Sequence, residues 1–224
     1  MHANGISMEL YGKGYVLAPD AGIGLYLYSG LDYLEYYSQF PSHNTVCVDG
    51  ISSYPVMKSN HSFDLKSSFP VSSEPGKAFT SVTYSDVSFR EPESRADQTR
   101  MMSIVTTGPE TGYYVDIFRS RKERGGDKMH DYFYHNLGQS MTLTAVDGTD
   151  MNLQPTEELA FAGADLYAYS YLYDNVNSKA CISLRVHVNI TRKRNALQRT
   201  FSSRRAFLLV RVRFFYYCFT LMMS

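Results

Sequence analysis

Hydrophobic and polar residues alternate in short runs along most of this chain, and turn chemistry separates the runs. "ISMELY" alternates, "GKG" at 12–14 turns, and "YVLAP" returns before Asp20, which predicts a hairpin within the first 20 residues, its two ends on the same side. Further strand-like runs follow from His43 onward: "TVCVDG", "AFTSVTYSDVSF", "RMMSIVTT" before "GPETG", "YYVDIFRS" before "RKERGGDK", "HDYFYHNL" and "MTLTAVDG". Short strands at this spacing, with turns between them, predict an all-β fold, an antiparallel β-sandwich. There is no internal repeat.

Two segments interrupt the pattern. Residues 22–42, "GIGLYLYSGLDYLEYYSQFPS", read as a long aromatic loop, because glycines and Pro41 break any sustained period. Long structured loops of this kind are often functional. Residues 154–180 contain "LYAYSYLYD", which reads as one more strand, and beyond them the composition changes abruptly.

Charge makes that change visible. The formal net charge is zero, yet residues 1–180 hold 13 Lys and Arg against all 22 Asp and Glu, while 181–224 hold 9 basic residues and no acid. Residues 1–180 are therefore read as one domain and 181–224 as an anomalous basic and apolar tail. An acidic body is a poor nucleic-acid binder, since phosphate binding needs clustered Lys and Arg. The apolar end of the tail, Phe214 to Met223, is only ten residues, too short to span a bilayer. The tail is read either as a basic arm for a membrane surface or RNA, or as sequence not selected for this fold, such as out-of-frame translation or a disordered end.

With 44% hydrophobic and 14% aromatic residues the chain can build a core, and 19 tyrosines suit half-buried pleated surfaces. Cys47, Cys181 and Cys218 are odd in number and lack metal spacing, so no disulfide framework is expected. "MHANGISMEL" has neither a basic n-region nor an apolar h-region, so no secretory signal is expected in this chain.

Candidate chemistry gathers near the N-terminus. His2 precedes the first strand, Asp20 ends the return strand and His43 opens the next, so in a twisted hairpin with a neighbouring strand the three can converge. Two imidazole nitrogens and a carboxylate with one open position suit zinc. Spacings of 18 and 23 residues are not a short metal motif, and surface histidines with a turn aspartate would read the same way.

The runs "HANGISMELYGKGYVLAPDAGIG", "YYSQFPSHNTVCVDG" and "HDYFYHNLG" together resemble the C-terminal portion of the heparinase II/III-like polysaccharide lyases, especially the oligoalginate-lyase branch. The resemblance covers roughly residues 2–180 and rests on a histidine before a hairpin, a "PD.G" turn and a tyrosine six residues before "HNT". It implies a helical toroid followed by a β-sandwich, with the active site between them and a metal held by the sandwich. His2, Asp20 and His43 then resemble the zinc ligands, and Tyr37 resembles a tyrosine at the catalytic cleft. By the same resemblance His135 is expected to lie in the cleft and bind substrate, and Tyr26 in the aromatic loop is expected to stack on a sugar ring. The blander alternatives are that Tyr26 and Tyr28 pack the loop, which is the commoner use of such residues, and that His135 is an ordinary strand-end residue.

The implied reaction is β-elimination on an acidic, uronate-containing polysaccharide of alginate or heparin type. The C5 proton becomes removable once donors neutralise the adjacent carboxylate, and a tyrosine can serve as base or protonate the leaving oxygen. Zinc would chiefly pin the loop carrying Tyr37. The departures are Asn4, where the family has an acid, and the missing toroid, so the expectation is a sandwich truncated at both ends and inactive alone. Full-length relatives are expected to be periplasmic or secreted. A carbohydrate-binding or structural sandwich without catalysis is the alternative. The run 119–128 reads as a solvated hairpin tip, and the sequons at Asn60 and Asn189 as chance.

Overall fold

The computed structural model describes residues 2–12, 14–22, 31–54, 62–70, 81–125, 129–137, 142–144, 149–150, 154–155, 164–172, 176–177, 187–189, 205–212 and 215–223. Its strands are β1 (Leu10–Gly12), β2 (Tyr15–Ala18), β3 (Val46–Val48), β4 (Asp64–Phe69), β5 (Val82–Arg90), β6 (Asp97–Gly108), β7 (Thr111–Arg121) and β8 (His130–Leu137). Then follow β9 (Thr142–Thr144), β10 (Gln154–Pro155), β11 (Val176–Asn177), β12 (His187–Asn189), β13 (Arg205–Val212) and β14 (Phe215–Met223). β1 and β2 form the hairpin expected from the alternation, with Gly12 opposite Tyr15 and Leu10 opposite Ala18.

Two antiparallel sheets make the sandwich, one ordered β14-β7-β6-β5-β4 and the other β13-β8-β3. Between them lies a core of Val46, Val48, Tyr132 and Tyr134 from the smaller sheet and Phe89 and Phe118 from the larger. Ile6, Leu10 and Ala18 of the N-terminal hairpin region complete it. The smaller sheet is also covered on its other face: Cys47 and Phe133 pack against Ala3, Tyr36, Phe40, Ala168, Tyr169 and Leu172. That is why "VCV" of β3 is buried at every position instead of alternating.

Three segments differ from the sequence reading. "LYAYSYLYD" is mostly a 3-10 helix, Ala164–Tyr171, not a strand. Its buried residues Ala168, Tyr169 and Leu172 recur at helical rather than alternating spacing. The aromatic loop contains a π-helical turn, Tyr33–Tyr37, and a 3-10 turn, Phe40–Ser42, with Pro41 in its first turn. β4 was not anticipated: "DLKSSF" is largely exposed and at the end of the sheet order, so it carries little apolar period. In the tail, β13 pairs with β8 and β14 with β7.

A buried ion pair joins the sheets. The Arg100 guanidinium of β6 meets Asp116 of β7 in a fork, Nε to Oδ1 at 2.9 Å and Nη2 to Oδ2 at 2.6 Å. Its Nη1 donates to the carbonyls of Ile6 at 2.8 Å and Asn44 at 2.7 Å. Tyr132 of β8 donates to Asp116 at 2.8 Å, and the guanidinium lies over the Phe118 ring. Burial works against the guanidinium's charge, but Asp116 and then Tyr132 outweigh it, so its pKa is raised further. One arginine thus ties the N-terminal segment, the loop after the 3-10 turn and both sheets together. Gly5 permits this close approach: its φ is +53°, and a Cβ there would meet Thr45 Oγ1 at 3.3 Å.

Candidate functional site

The site is assembled on the chain from Gln39 to Asn44. His43 caps the 3-10 turn, donating its N–H to Phe40 O at 3.0 Å, and its side chain is buried. Asn44 fixes the direction of this segment. Its Nδ2 donates to Met8 O at 3.0 Å and to Ala18 O and Pro19 O at 3.2 Å, while Oδ1 accepts the His135 N–H at 2.7 Å. This one side chain pins the hairpin ends to β8 and so brings Asp20 to His43.

The three side chains expected to converge are in contact. Asp20 Oδ2 lies 2.6 Å from His43 Nδ1, and His43 Nε2 lies 3.3 Å from His2 Nδ1. Proton positions follow from the partners. With neutral rings, the carboxylate requires His43 to donate from Nδ1, which leaves Nε2 to accept from His2. The His2 pKa is lowered by burial first and then by the neighbouring His43. For Asp20, burial raises the pKa, but the hydrogen bond and charge of His43, the Gly22 N–H and His2 outweigh it and leave the carboxyl below its ordinary range.

The three groups suit zinc by donor type. Their arrangement is a chain from Asp20 through His43 to His2, and among the described residues no group of three or more His, Cys, Asp or Glu converges as a metal cage. One ring nitrogen of His43 faces each neighbour, so the trio as it stands satisfies itself with hydrogen bonds.

The trio is joined to the turn that carries Tyr37. His2 meets the Tyr33 ring edge-on, centroids 5.6 Å apart, and Ala3 N donates to Ser38 O at 2.7 Å. The turn is then locked by side chains the sequence reading did not single out. Gln39 Nε2 donates to Leu34 O at 2.7 Å, Ser52 donates to Gln39 Oε1 at 2.7 Å, and Ser42 Oγ donates to Tyr37 O at 3.0 Å. Tyr37 itself is partly exposed, and among the described residues its hydroxyl has no hydrogen-bond partner.

His135 packs behind the segment that carries His43. It is buried, with Nε2 2.9 Å from Pro41 O and Nδ1 3.2 Å from Asn44 Oδ1. It therefore supports the segment that carries His43 from behind. Tyr26 and Tyr28 lie outside the described residues. The tip of 119–128 is described only to Gly125; Lys122 there pairs with Asp49 at 2.5 Å.

Removing the Asp20 charge has an outcome that depends on pH. Because its folded pKa lies below the unfolded one, Asp20 contributes stability that is full above the ordinary carboxyl range and is lost as pH falls through the folded value. Thermal melts of wild type and Asp20→Asn with a chelator present are expected to differ most near neutrality and to converge at strongly acidic pH. A constant gap at all pH values would show that the carboxylate does not hold His43 by charge.

An antiparallel sandwich with this histidine–aspartate cluster beside a tyrosine-bearing turn can be set against known proteins. Residues 1–115 match the family profile described as "Heparinase II/III-like, C-terminal". The chain is also similar to an endo-acting ulvan lyase of Formosa agariphila, 30% identical over 164 residues, which is 69% of this chain and 20% of that protein. The chain is thus a polysaccharide-lyase-related protein. It belongs to the heparinase II/III-like family, within the C-terminal region of that family. The match spans about a fifth of the length of that relative.

Proposed function

We propose that this chain is the sandwich part of a lyase that cleaves an acidic, uronate-containing polysaccharide by β-elimination, with ulvan favoured over alginate or heparin. The observation that carries the reading is the linkage of Tyr37's turn to His2, Asp20 and His43 in a member of a polysaccharide-lyase family. The ulvan preference rests on the substrate named for its relative.

Tyr37 is the catalytic tyrosine in this reading. As the phenolate it would take the C5 proton, or as the phenol it would give one to the leaving oxygen, and the Gln39, Ser42 and Ser52 hydrogen bonds hold its backbone in place for that transfer. His2, Asp20 and His43 would hold zinc by giving up hydrogen bonds they now make to one another, and the ion would supply a fixed positive centre that pins the turn. Tyr26 is proposed to contact substrate, and His135 to act on the site through the segment from Pro41 to Asn44. The wall that neutralises the uronate carboxylate would come from a helical toroid, so the chain alone is proposed to bind and to turn over little. The protein would work outside the cytoplasm, where such polysaccharides are met; among the described residues no helix is long and apolar enough to cross a membrane.

The test is to titrate the chain with ulvan, alginate and heparan oligosaccharides by NMR while following the ultraviolet absorbance of the unsaturated uronyl product. Ulvan oligosaccharides are expected to bind most tightly, and any product formed is expected to vanish in Tyr37→Phe. Binding of all three without product, also after a toroid portion of the ulvan lyase is supplied, would favour a non-catalytic carbohydrate-binding sandwich. Failure to bind any of them would remove the reading.

A further inference from the structure

Asp20 is held by more than its contact with His43. The hairpin pairs only as far as Leu10 opposite Ala18, and the next residue, Pro19, has no N–H to donate. The Asp20 N–H is therefore the first backbone donor past the paired strands. A side chain receives it: Glu9 Oε1 accepts it at 3.0 Å. Glu9 is fixed in turn, because the Tyr11 hydroxyl donates to its Oε2 at 2.6 Å, and the Tyr114 hydroxyl of β7 donates to the carbonyl of Tyr11. Glu9 is exposed, yet both of its oxygens are engaged within the hairpin, which a merely solvated acid would not need.

The carbonyl of Pro19 and the N–H of Asp20 belong to one planar peptide unit. Buried Asn44 donates to that carbonyl at 3.2 Å, and exposed Glu9 accepts from that N–H, so the plane is pinned at opposite edges. Its tilt sets the direction in which the Asp20 side chain leaves the backbone. The carboxylate has little freedom to compensate, because Oδ1 accepts the Gly22 N–H at 2.8 Å while Oδ2 meets His43 Nδ1 at 2.6 Å. A peptide plane released by Glu9 therefore moves Oδ2 away from His43. The bond that prevents this is charge-assisted, with an ionised acceptor.

We propose that Glu9 is a positioning residue of the site: it fixes the Pro19–Asp20 peptide and thereby holds the Asp20 carboxylate where His43, or a metal ion bound by the trio, can use it. The metal part rests on the reading of His2, Asp20 and His43 as zinc ligands. The positioning of Asp20 against His43 does not. Groups that orient a metal ligand from behind govern metal affinity without touching the ion, and Glu9 takes that place here through a backbone N–H.

Two measurements on the full chain test this, both below the melting temperature of every variant: the downfield Nδ1 proton resonance of His43 in metal-free protein, and zinc affinity by competition with a chromophoric chelator. In Glu9→Ala the resonance is expected to shift upfield and the zinc Kd to rise about tenfold. Glu9→Gln keeps an oxygen acceptor at the same reach, so it is expected to restore the resonance and most of the affinity. A role in hairpin stability alone would lower the melting temperature and move neither readout. Tyr11→Phe removes only the bond that fixes Glu9; it is expected to give a smaller shift in the same direction, and it carries the test if Glu9→Ala does not fold. A His43 resonance or a zinc affinity that stays as in wild type in Glu9→Ala would overturn the proposal. Wild type that binds no zinc removes the metal reading alone, and the His43 resonance then decides the positioning.

Discussion

Arg100→Met is expected to destabilise the protein by about 3–5 kcal/mol, a large share of what holds a domain of this size folded. The loss has three parts. Asp116 is left as a buried carboxylate that keeps only the Tyr132 hydroxyl from this network. The carbonyls of Ile6 and Asn44 lose their charged donor. The stacking of the guanidinium on Phe118 disappears, although the methionine stem refills part of that volume. Arg100→Lys is expected to recover little, because an ammonium cannot make the fork to Asp116 and reach both carbonyls at once. The comparison is Arg90→Met, which breaks an exposed pair with Asp97 at 3.5 Å and should cost less than ~1 kcal/mol. Urea unfolding of the three variants checks this. A loss for Arg100→Met as small as that for Arg90→Met would mean that water replaces the network.

This ion pair also shows where the sequence stops being legible. Strands β5 to β8 were readable because apolar residues alternate with polar ones on a half-covered pleat. In β6, however, Gln98 and Arg100 are buried, and in β7 so are Asp116 and Ser120. A reader who assigns polar positions to solvent inverts the face of β6. Burial of a charge depends on a partner from another strand, which no local period records. The 3-10 helix Ala164–Tyr171 was missed for a related reason: its tyrosines alternate like a strand, but the contacts that decide its conformation, with Tyr36 and Phe133, lie far away in the chain.

The site was legible in a different way. His2, Asp20 and His43 were suggested by chain ends that a hairpin can bring together and by family resemblance, and the fold does place them in consecutive contact. What holds them there is Asn44 with His135: the sequence marked His135 for a different role and Asn44 only as part of "HNT", and neither mark pointed to this support. An asparagine next to a histidine at a strand mouth reads as turn chemistry, yet this asparagine is fully buried.

Asn44 therefore supplies the second large effect. Asn44→Leu keeps the branched heavy-atom skeleton of the side chain but removes every hydrogen bond that the Asn44 side chain makes at the junction of hairpin, loop and β8. Three carbonyls, of Met8, Ala18 and Pro19, lose one shared donor group, and the buried His135 N–H loses its acceptor at 2.7 Å. At about 1–3 kcal/mol for each group left unsatisfied, and with some of the carbonyls able to find water, the expected loss is about 3–4 kcal/mol. Asn44→Asp separates geometry from charge. It retains an acceptor for His135 but turns a negative oxygen toward the three carbonyls, so it should be as damaging as leucine or worse. The effect is not confined to stability. Asn44 follows His43 directly and ties the strand that ends beside Asp20, so its loss should also loosen the contact of 2.6 Å between them. At a temperature where Asn44→Leu is still folded, the downfield Nδ1 proton resonance of His43 that the contact with Asp20 produces is expected to be lost, as in Asp20→Asn. If Asn44→Leu is destabilised while that His43 proton resonance stays as in wild type, Asn44 serves the fold alone, and the site is held by the turn at Tyr33–Tyr37 instead.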